Sequence, residues 1–305
     1  MLRRAFITGG TGFIGSRLSA ALLARGVQVT ALVRPDSDTR ELLCVAGQRS
    51  GLELIAYPAT PLQDIVAKAR PDVVFHLAAL HLHDHTPDQV AELVKSNVLL
   101  TAELLEAASA AGAGFIHTGT FWQHATGARY TPNSLYAATK QAAADLMAFY
   151  CQRRGLRALS LILYDVYGER DPRRKLLSLL FSEAQRGTPL DMTPGLQRVE
   201  LVHVDDVCAA YLHAADETLA CRLPAQGEAY CVSSGSARTL RDVVELYAQL
   251  LGQPLNIRWG GRSYRDGEVM QPWVGAPLPG FRPRVNLQDG LARVIAAQRQ
   301  STRSG

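Results

Sequence analysis

A glycine-rich segment near the N-terminus restricts the fold of this chain more than any other feature. The short apolar run Ala5–Thr8 leads into Gly10-Thr-Gly12-Phe-Ile-Gly15, and a helical pattern begins at Phe13. In a strand–turn–helix of this kind, Gly12 lets the backbone approach a pyrophosphate and Gly15 lets the helix pack closely on the sheet. The helix N-terminus adds unpaired N–H groups and positive potential. The segment therefore predicts a dinucleotide site.

Strand-like apolar runs alternate with helical patterns through the first half of the chain. Strands are predicted at Ala5–Thr8, Gln28–Val33, Leu52–Tyr57, Val73–Leu77, Gly114–Thr118 and Ala158–Leu163, and helices at Phe13–Arg25, Leu62–Ala69, Pro87–Ala111 and Ser134–Arg154. This alternation predicts a parallel sheet with helices on both faces, joined by right-handed crossovers.

The regular alternation stops after Gly168. A helix begins again near Asp205, another covers Leu240–Leu251, and Gly252–Pro283 is rich in glycine and proline, which predicts loops that cover a ligand. We therefore expect an α/β fold, a Rossmann-type doubly wound parallel sheet with a smaller C-terminal substrate-binding cap. Residues 1–170 with about 198–232 are assigned to the dinucleotide-binding domain, and about 171–197 and 233–305 to the cap. The polar tail from Gln298 is expected to fray.

Composition excludes several other classes of protein. The chain has 305 residues, a formal net charge of +4 and scattered Lys and Arg, so nucleic-acid and membrane-surface partners have little support. No apolar run approaches the roughly 18 residues that span a bilayer. The five cysteines contain no Cys-x-x-Cys pair, which is typical of reduced thiols. Strand-like sequence right after Arg4 leaves no room for a signal peptide, and a cytoplasmic location is expected.

Tyr136 and Lys140 lie four residues apart in helix-forming sequence, so both project from one helix face. A phenol titrates near pH 10 and is a poor proton donor or acceptor at neutral pH. A neighbouring ammonium and an oxidised nicotinamide would both lower the pKa of the phenol. The pair predicts proton transfer by Tyr136 at a carbonyl or alcohol, with Lys140 also holding the nicotinamide ribose. By spacing alone, an exposed helical pair is the alternative.

Arg34 ends the second predicted strand, about 20 residues beyond the glycines. An acidic residue at this point would hydrogen-bond the ribose hydroxyls of NAD, whereas an arginine accommodates a 2′-phosphate. Arg34, helped by Ser37, therefore predicts NADP(H), with NAD(H) as the less favoured cofactor. A solvated surface arginine is the competing interpretation.

Thr118 follows a predicted strand within Ile116-His-Thr118-Gly-Thr120-Phe-Trp122. Open α/β sheets bind their ligands at the carboxyl ends of strands. A hydroxyl there can donate a hydrogen bond to a substrate oxygen as negative charge develops. Thr118 is therefore a candidate third member of the catalytic group.

These residues resemble the extended short-chain dehydrogenase/reductase family over nearly the whole chain. The matching segments are Thr8-Gly-Gly-Thr-Gly-Phe-Ile-Gly15, His76-Leu-Ala-Ala79, Asn97-Val98 with Leu104-Leu-Glu-Ala107, the Tyr136/Lys140 pair, Val202-His-Val-Asp-Asp206 and Arg265-Asp-Gly-Glu268. Within the family, Thr118–His124, Leu135–Gln141 and Tyr164–Gly168 look most like nucleotide-diphospho-4-keto-6-deoxyhexose 4-reductases of the CDP-abequose synthase kind.

The resemblance implies a set of contacts. For the cofactor it implies Gly9, Thr11, Gly12, Phe13, Ile14, Gly15, Arg34, Leu77, Ala78, Ala79, Asn97, Tyr136, Lys140 and Val166. For a nucleotide-diphosphate sugar it implies Thr118, Thr120, His81, Asp165, Lys175, Arg198 and Arg265. It also implies a homodimer formed through Pro87–Ala111 and Ser134–Arg154.

The chain departs from the family pattern at four places. Tyr57-Pro-Ala-Thr60 lacks the usual Asp beside the adenine, and Val199 replaces a substrate-binding arginine, with Arg198 one position away. Asp165 replaces a common substrate-binding Asn. Gly119-Thr120 stand where 4,6-dehydratases keep an Asp-Glu acid/base pair, which makes a dehydratase an unfavoured interpretation.

Two short segments, one with potential metal ligands and one basic, are open to more than one interpretation. His81-Leu-His83-Asp84-His85 contains zinc-ligand types, but its position just past the fourth strand favours pocket polarity, and no metal is expected. Arg173-Arg174-Lys175 could clamp a diphosphate or form a solvated basic turn.

The leading hypothesis is NADPH-dependent reduction of the C4 ketone of a nucleotide-activated 4-keto-6-deoxy sugar, with Tyr136 as the proton donor. An NAD-dependent nucleotide-sugar 4-epimerase would use the same residues and is the alternative enzyme. A non-catalytic dinucleotide-binding regulator is the alternative from another class, which the intact Tyr136, Lys140 and Thr118 disfavour.

Overall fold

The computed structural model describes residues 1–47, 50–57, 60–127 and 130–304. Its strands are β1 (Arg4–Thr8), β2 (Gln28–Val33), β3 (Leu52–Ala56), β4 (Val73–His76), β5 (Gly114–Thr120), β6 (Ala158–Leu163), β7 (Asp165–Tyr167), β8 (Leu190–Met192), β9 (Arg198–Val199), β10 (Leu201–His203), β11 (Gln226–Val232), β12 (Arg238–Thr239) and β13 (Ile257–Trp259). Its α-helices are α1 (Phe13–Ala24), α2 (Arg40–Ala46), α3 (Leu62–Ala69), α4 (Val90–Val94), α5 (Leu100–Ala111), α6 (Leu135–Arg154), α7 (Leu176–Arg186), α8 (Val204–Leu219), α9 (Leu240–Leu251) and α10 (Leu287–Ser304). Pro87–Gln89 and Phe121–Gln123 are 3₁₀ turns, and Lys95–Leu99 is a π-helical turn between α4 and α5.

Seven strands form one fully parallel sheet in the order β11-β6-β5-β4-β1-β2-β3. The first strand lies between β4 and β2, and Thr8 pairs with His76 on one side and Leu32 on the other. The strand order reverses beside β1, which creates the crevice where open α/β sheets bind ligands. The predicted Rossmann-type α/β class is confirmed.

Helices cover both faces of this sheet because the strands are apolar on both sides. One face packs against α1, α2 and α8 through buried side chains such as Leu18, Leu42 and Tyr211. The opposite face packs against α3, α5 and α6 through Ile65, Leu104 and other buried side chains. Both faces of the sheet are therefore buried under helices.

A third hydrophobic cluster joins α7, α9 and α10 away from the large sheet. Leu180, Tyr247 and Leu291 are fully buried there. Three two-stranded sheets lie outside the large sheet, β7 with β10, β8 with β13 and β9 with β12, and side chains of β8 and β13 belong to this third cluster.

The structure differs from the predicted elements in places that tertiary contacts explain. The sequence pattern does not predict helices α2, α7 and α10 or the strands from β7 to β13, of which β13 lies in the segment expected to form loops. The expected fraying after Gln298 is wrong, because α10 continues to Ser304 and Arg299 donates to the Leu251 carbonyl at 2.7 Å. Among the described residues, no helix is both long and apolar enough to cross a membrane.

Candidate active site

The glycine turn packs between the start of α1 and the segment after β4. Gly9 has a φ of +72°, and the Gly12 N–H donates to the Gly9 carbonyl at 3.0 Å. A Cβ on Gly9 would lie 2.7 Å from Ala78 N, and one on Gly15 would lie 2.8 Å from the Gly9 carbonyl carbon. The first turn of α1 has no side-chain cap and no acidic residue. Its N–H groups are therefore available to an anion, and this cradle fits a dinucleotide pyrophosphate.

The other predicted cofactor residues of this region lie beside the turn. Phe13 is buried, whereas Thr11 and Ile14 are half-buried. Leu77, Ala78 and Ala79 follow β4 directly and are also half-buried. The structure thus brings the glycine turn and the segment after β4 together at the point where the strand order reverses.

Arg34 lies immediately after β2 at the surface. Its side chain is 77% exposed, and its Nε atom is 3.6 Å from Asp36 Oδ1. The Arg34 N–H is 3.2 Å from Ser37 Oγ and donates to it. The guanidinium is therefore held only by a loose ion pair that a phosphate could replace.

The predicted departure at Tyr57-Pro-Ala-Thr60 falls partly outside the described residues, because Pro58 and Ala59 are not among them. Tyr57 follows β3, and its hydroxyl donates to Glu103 Oε2 at 2.9 Å. This contact ties the end of β3 to α5.

Tyr136 and Lys140 lie on the first two turns of α6, which begins after Ser134. The Ser134 hydroxyl caps the helix by accepting from the Ala137 N–H at 3.2 Å. Tyr136 is 8% exposed and Lys140 is 1% exposed. Within the described residues neither side chain has a hydrogen-bond partner, so a buried ammonium and phenol are left for bound molecules. An unpartnered ammonium of this kind fits a cofactor ribose.

Burial dominates the titration of both groups. It raises the pKa of the Tyr136 phenol well above its ordinary value, and it lowers the pKa of the Lys140 ammonium from 10.5 to about 8. In the cofactor-free protein burial is the cause that acts on Tyr136, and the lowering of its pKa by Lys140 together with an oxidised nicotinamide stays a prediction. In this state Tyr136 is a neutral phenol, which is the form that donates a proton.

Two rings hold the Tyr136 ring in place. The His81 ring meets it edge-on, with centroids 4.7 Å apart, and the Trp122 ring does so at 6.2 Å. His83 meets the other side of Trp122 with centroids 5.1 Å apart. Burial first, and then the charge of Lys175, lower the pKa of His81 to about 4. His81 is thus a neutral imidazole in direct contact with the phenol ring.

Asn97 lies in the π-helical turn and is buried. Its Oδ1 accepts from the Leu80 N–H at 2.7 Å, and its Nδ2 donates to the Leu80 carbonyl at 2.9 Å and to Thr139 Oγ1 at 3.0 Å. The Thr139 hydroxyl donates to the Tyr136 carbonyl at 2.7 Å. Asn97 therefore links the loop after β4 to the helix that carries Tyr136, and a direct contact with the cofactor stays a prediction.

His76 forms a buried hydrogen-bond chain beside the glycine turn. Thr101 donates to the Asn97 carbonyl at 2.7 Å, so it accepts from His76 Nε2 at 2.9 Å, and His76 Nδ1 accepts from Thr8 Oγ1 at 2.7 Å. Thr8 Oγ1 in turn accepts from the Ala78 N–H at 3.2 Å. Burial, with the charge of Lys140, lowers the pKa of His76 to about 3, which keeps this chain neutral.

Thr118 lies near the end of β5 and its hydroxyl has two partners. It donates to the His76 carbonyl at 2.8 Å and lies 2.6 Å from the Tyr211 hydroxyl. Tyr211 belongs to α8 and is fully buried. Sequence reasoning missed Tyr211, because no motif links residues 93 positions apart.

Thr120 and Gly119 are engaged with the protein rather than open to a ligand. Thr120 Oγ1 accepts from the Trp122 N–H at 3.3 Å, and the Thr120 N–H donates to Gln123 Oε1 at 2.9 Å. A Cβ on Gly119 would collide with Ile162 Cδ1 and lie 2.9 Å from Gln123 Oε1. Thr120 therefore caps the following 3₁₀ turn, and its substrate role stays a prediction.

Charged side chains gather at the ends of β6 and β7. Burial raises the pKa of Asp165, and the cations Lys175 and Arg173 oppose that rise. Desolvation first and the charge of Arg173 next lower the pKa of Lys175, whose side chain still reaches solvent. The charge of Lys175 thus acts on both Asp165 and His81, so these three side chains belong to one region of the surface.

Arg173 is held by contacts within the protein. It binds both carboxylate oxygens of Asp171 at 2.7 Å and donates to the carbonyl of Val166, a predicted cofactor residue, at 3.0 Å. Its guanidinium also lies 4.6 Å from the centroid of the Phe13 ring. Of the two interpretations of this basic segment, the Arg173 geometry matches neither, since the side chain joins the β7 end to the glycine turn.

The two remaining substrate candidates belong to the C-terminal part. Arg198 lies on β9 and donates to the Ala237 carbonyl, whereas Arg265 is exposed in the loop after β13. That loop is attached to the site, because the Trp273 ring stacks on His124 with centroids 4.0 Å apart and the Trp273 carbonyl accepts from Tyr164 at 2.5 Å. Among the described residues, no group of three or more His, Cys, Asp or Glu side chains is arranged to hold a metal ion.

Known proteins are similar to this chain along most of its length. The profile of the NAD dependent epimerase/dehydratase family matches residues 5–223. A CDP-abequose synthase from Yersinia pseudotuberculosis is 26% identical over 272 residues, which covers 88% of this chain and 91% of that relative. A UDP-glucose 4-epimerase from Mycolicibacterium smegmatis is 28% identical over 312 residues, covering 96% of this chain and 97% of the relative.

The fold is also found among solved structures. DesIV, a dTDP-glucose 4,6-dehydratase from Streptomyces venezuelae solved with NAD and TYD bound, superposes with a TM-score of 0.81 at 25% identity. The match covers 99% of this chain and 98% of that one. The resemblance to the extended short-chain dehydrogenase/reductase family is thereby confirmed.

Proposed function

We propose that this chain, which belongs to the NAD dependent epimerase/dehydratase family and is an NAD(P)-dependent oxidoreductase, reduces the C4 ketone of a nucleotide-diphosphate 4-keto-6-deoxyhexose. The product is the corresponding deoxysugar alcohol, and Tyr136 is the proton donor. The observation that carries the proposal is the buried, protonated Tyr136 beside the unpartnered Lys140, at the edge where the sheet binds ligands. The similarity to CDP-abequose synthase supports the choice of substrate class.

The mechanism assigns each step to residues of this chain. The nicotinamide cofactor, when bound, supplies the hydride for the carbonyl carbon. Tyr136 donates its phenolic proton to the ketone oxygen, because burial keeps the phenol neutral until charge develops on that oxygen. Lys140 would hold the ribose and stabilise the phenolate that remains. Thr118 donates a hydrogen bond to the same oxygen and so stabilises its negative charge.

The residues beside Thr118 support reduction over dehydration. Elimination of water needs an acid and a base next to the sugar, and Gly119-Thr120 supply neither carboxylate. A larger side chain at Gly119 would collide with Ile162, so that position has no room for an acidic group without rearrangement.

The cofactor is proposed to be NADP(H). Arg34 supports this choice, since its guanidinium is exposed beside the end of β2 and only loosely paired with Asp36. The NAD bound in DesIV supports the opposite choice. The dissociation constants of NADPH and NADH therefore need to be measured with the wild type and with Arg34→Ala. A loss of NADPH affinity with unchanged NADH affinity supports the proposal, and equal changes contradict it.

The diphosphate of the substrate is proposed to bind Lys175 and Arg265. Arg198 is proposed as a weaker additional contact. Lys175 and Arg265 are exposed cations, and within the described residues neither has a carboxylate within ion-pair distance. Arg198 is less available because it already binds the Ala237 carbonyl. Asp165 and His81 would then hydrogen-bond the sugar hydroxyls near the reacting carbon.

We also propose the domain division given above, a cytoplasmic location and a homodimer. Val90, Val94, Leu99 and Phe149 are exposed apolar side chains on the helical segments that the family resemblance assigns to the dimer interface. A monomeric mass in light scattering would contradict the dimer. A shift from dimer to monomer in Phe149→Glu would support it.

The reaction is tested with purified protein, NADPH or NADH, and a panel of nucleotide-diphosphate 4-keto-6-deoxyhexoses. Loss of absorbance at 340 nm with formation of the C4 alcohol is expected for the wild type, and Tyr136→Phe serves as the matched inactive control. No oxidation of either cofactor with any member of the panel would contradict the proposal.

A nucleotide-sugar 4-epimerase is the second candidate, favoured by the similarity to the Mycolicibacterium smegmatis enzyme along nearly the whole chain. An epimerase regenerates its cofactor in each turnover. Tightly held NAD in the purified protein and interconversion of C4 epimers without net oxidation of NADPH would favour this candidate.

A further inference from the structure

Tyr211 contacts the active site from a helix that carries none of the predicted site residues. It lies in the middle of α8, is fully buried, and places its hydroxyl 2.6 Å from Thr118 Oγ1. The Tyr211 ring also packs edge-on against Phe75 of β4, with centroids 6.3 Å apart. The ring is thus fixed by the core, and its hydroxyl is aimed at Thr118.

The direction of this hydrogen bond follows from the number of available protons. A threonine hydroxyl has one proton and two acceptor lone pairs. Thr118 donates its proton to the His76 carbonyl at 2.8 Å. Among the described residues, Thr118 is the hydrogen-bond partner of the Tyr211 hydroxyl, so the phenolic proton is used only if Tyr211 donates. Tyr211 is therefore the donor and Thr118 Oγ1 is the acceptor.

This arrangement bears on the role of Thr118 in the proposed reaction. While Thr118 donates to the His76 carbonyl, its proton is not available to a substrate oxygen. To reach the substrate oxygen, the Thr118 hydroxyl must rotate so that its proton leaves the His76 carbonyl. The Thr118 oxygen then needs another hydrogen bond to stay in position. A donated hydrogen bond also makes a hydroxyl a stronger donor in turn, because hydrogen bonds in a chain polarise one another.

We propose that Tyr211 is a positioning residue that holds Thr118 Oγ1 and lets the Thr118 proton turn from the His76 carbonyl to the oxygen of the reacting carbonyl. This inference rests on the proposed function, since it assigns Thr118 to the substrate oxygen. It applies equally to reduction and to 4-epimerisation, because both develop charge on the same oxygen.

The test compares Tyr211→Phe with Tyr247→Phe. Tyr247 is a matched control because it is also fully buried on a helix and its hydroxyl makes one hydrogen bond, to Gln298 Oε1 at 2.7 Å, in the C-terminal cluster. Both variants are expected to lower the melting temperature. Only Tyr211→Phe is expected to lower kcat, by about five- to tenfold, with KM changed less than twofold.

A double-mutant cycle separates positioning from general damage. In a Thr118→Ala background, Tyr211→Phe is expected to have no further effect on kcat, because the group that it positions is gone. Equal fold-losses in the wild-type and Thr118→Ala backgrounds would overturn the inference. An unchanged kcat in Tyr211→Phe would overturn it as well.

A crystal structure of Tyr211→Phe distinguishes failure of this inference from failure of the proposed function. Rotation or disorder of the Thr118 side chain is expected, and an unchanged Thr118 conformation would overturn the inference without reference to any substrate. An inactive wild type whose Tyr211→Phe crystal shows a displaced Thr118 would instead contradict the proposed function alone.

Discussion

Replacing Gly15 by alanine is expected to weaken cofactor binding, because the new methyl group has no space. The alanine Cβ would lie 2.8 Å from the Gly9 carbonyl carbon and 2.9 Å from Gly10 Cα, and closer still to the Gly9 oxygen. Non-bonded carbons rest about 3.5–4.0 Å apart, so the turn must move by about 0.7 Å or more. It cannot move toward β4, since Gly9 already packs on Leu77 and Ala78.

The expected magnitude follows from this displacement. Overpacking of this kind costs about 1–3 kcal/mol, which corresponds to about 5- to 150-fold in a dissociation constant. The movement also breaks the alignment of the Gly12 N–H, which donates to the Gly9 carbonyl at 3.0 Å. The pyrophosphate then meets misplaced N–H groups at the start of α1.

Fluorescence titration of reduced cofactor measures this effect directly. Gly26→Ala is the control, because Gly26 has a φ of +75° and no atom within 4 Å of its Cβ position. That variant is expected to lose about 1–2 kcal/mol of stability through backbone strain while keeping the cofactor dissociation constant. If Gly15→Ala binds cofactor within twofold of the wild type, the steric reasoning is refuted.

Three further outcomes are expected. Tyr136→Phe should lower turnover by about 10²- to 10⁴-fold with cofactor affinity retained, and near-wild-type turnover would remove Tyr136 from the mechanism. Lys140→Met should abolish activity yet raise the stability of the cofactor-free protein at pH 7 by up to about 3 kcal/mol. Since the pKa of Lys140 falls from 10.5 to about 8 on folding, the cost of its buried charge is complete below pH 8 and disappears as the pH rises to 10.5, so thermal melts of the two proteins should converge there. Gly290→Ala should destabilise the chain by about 1–3 kcal/mol, because its Cβ would lie 2.8 Å from Tyr167 Cζ, whereas Gly252→Ala, with no atom within 4 Å, should cost only its backbone strain.

Elements with strong local patterns were predictable from the sequence. Strands β2 and β6 and helices α3 and α9 have the predicted bounds, because each combines a continuous periodic pattern with clear end signals. Helix α10 is not evident from the sequence, because it has few apolar residues. These residues become buried only through their packing with α9. The π-helical turn at Lys95–Leu99 was likewise invisible, because its residues follow an ordinary helical pattern.

Some features of the candidate site were predictable from the sequence, and others depend on tertiary packing. The glycine turn and the Tyr136/Lys140 pair are short-range motifs, in which the residue types and their spacing carry the chemistry. The direction of the Tyr136 pKa shift depends on how many atoms surround the phenol, and this depends on the packing of His81 and Trp122. Composition and spacing do not contain that information.

The sequence by itself determined the Rossmann-type class, the glycine turn after the first strand and the placement of Tyr136 and Lys140 on one helix, because backbone conformation and helical spacing are local properties. Only the tertiary structure decided that Thr118 lies against Tyr211, that Asn97 ties the β4 loop to α6, and that Arg34 remains in solvent. Those facts depend on which distant segments meet and on how much water they exclude. Long-range packing decides both, and no local pattern records it.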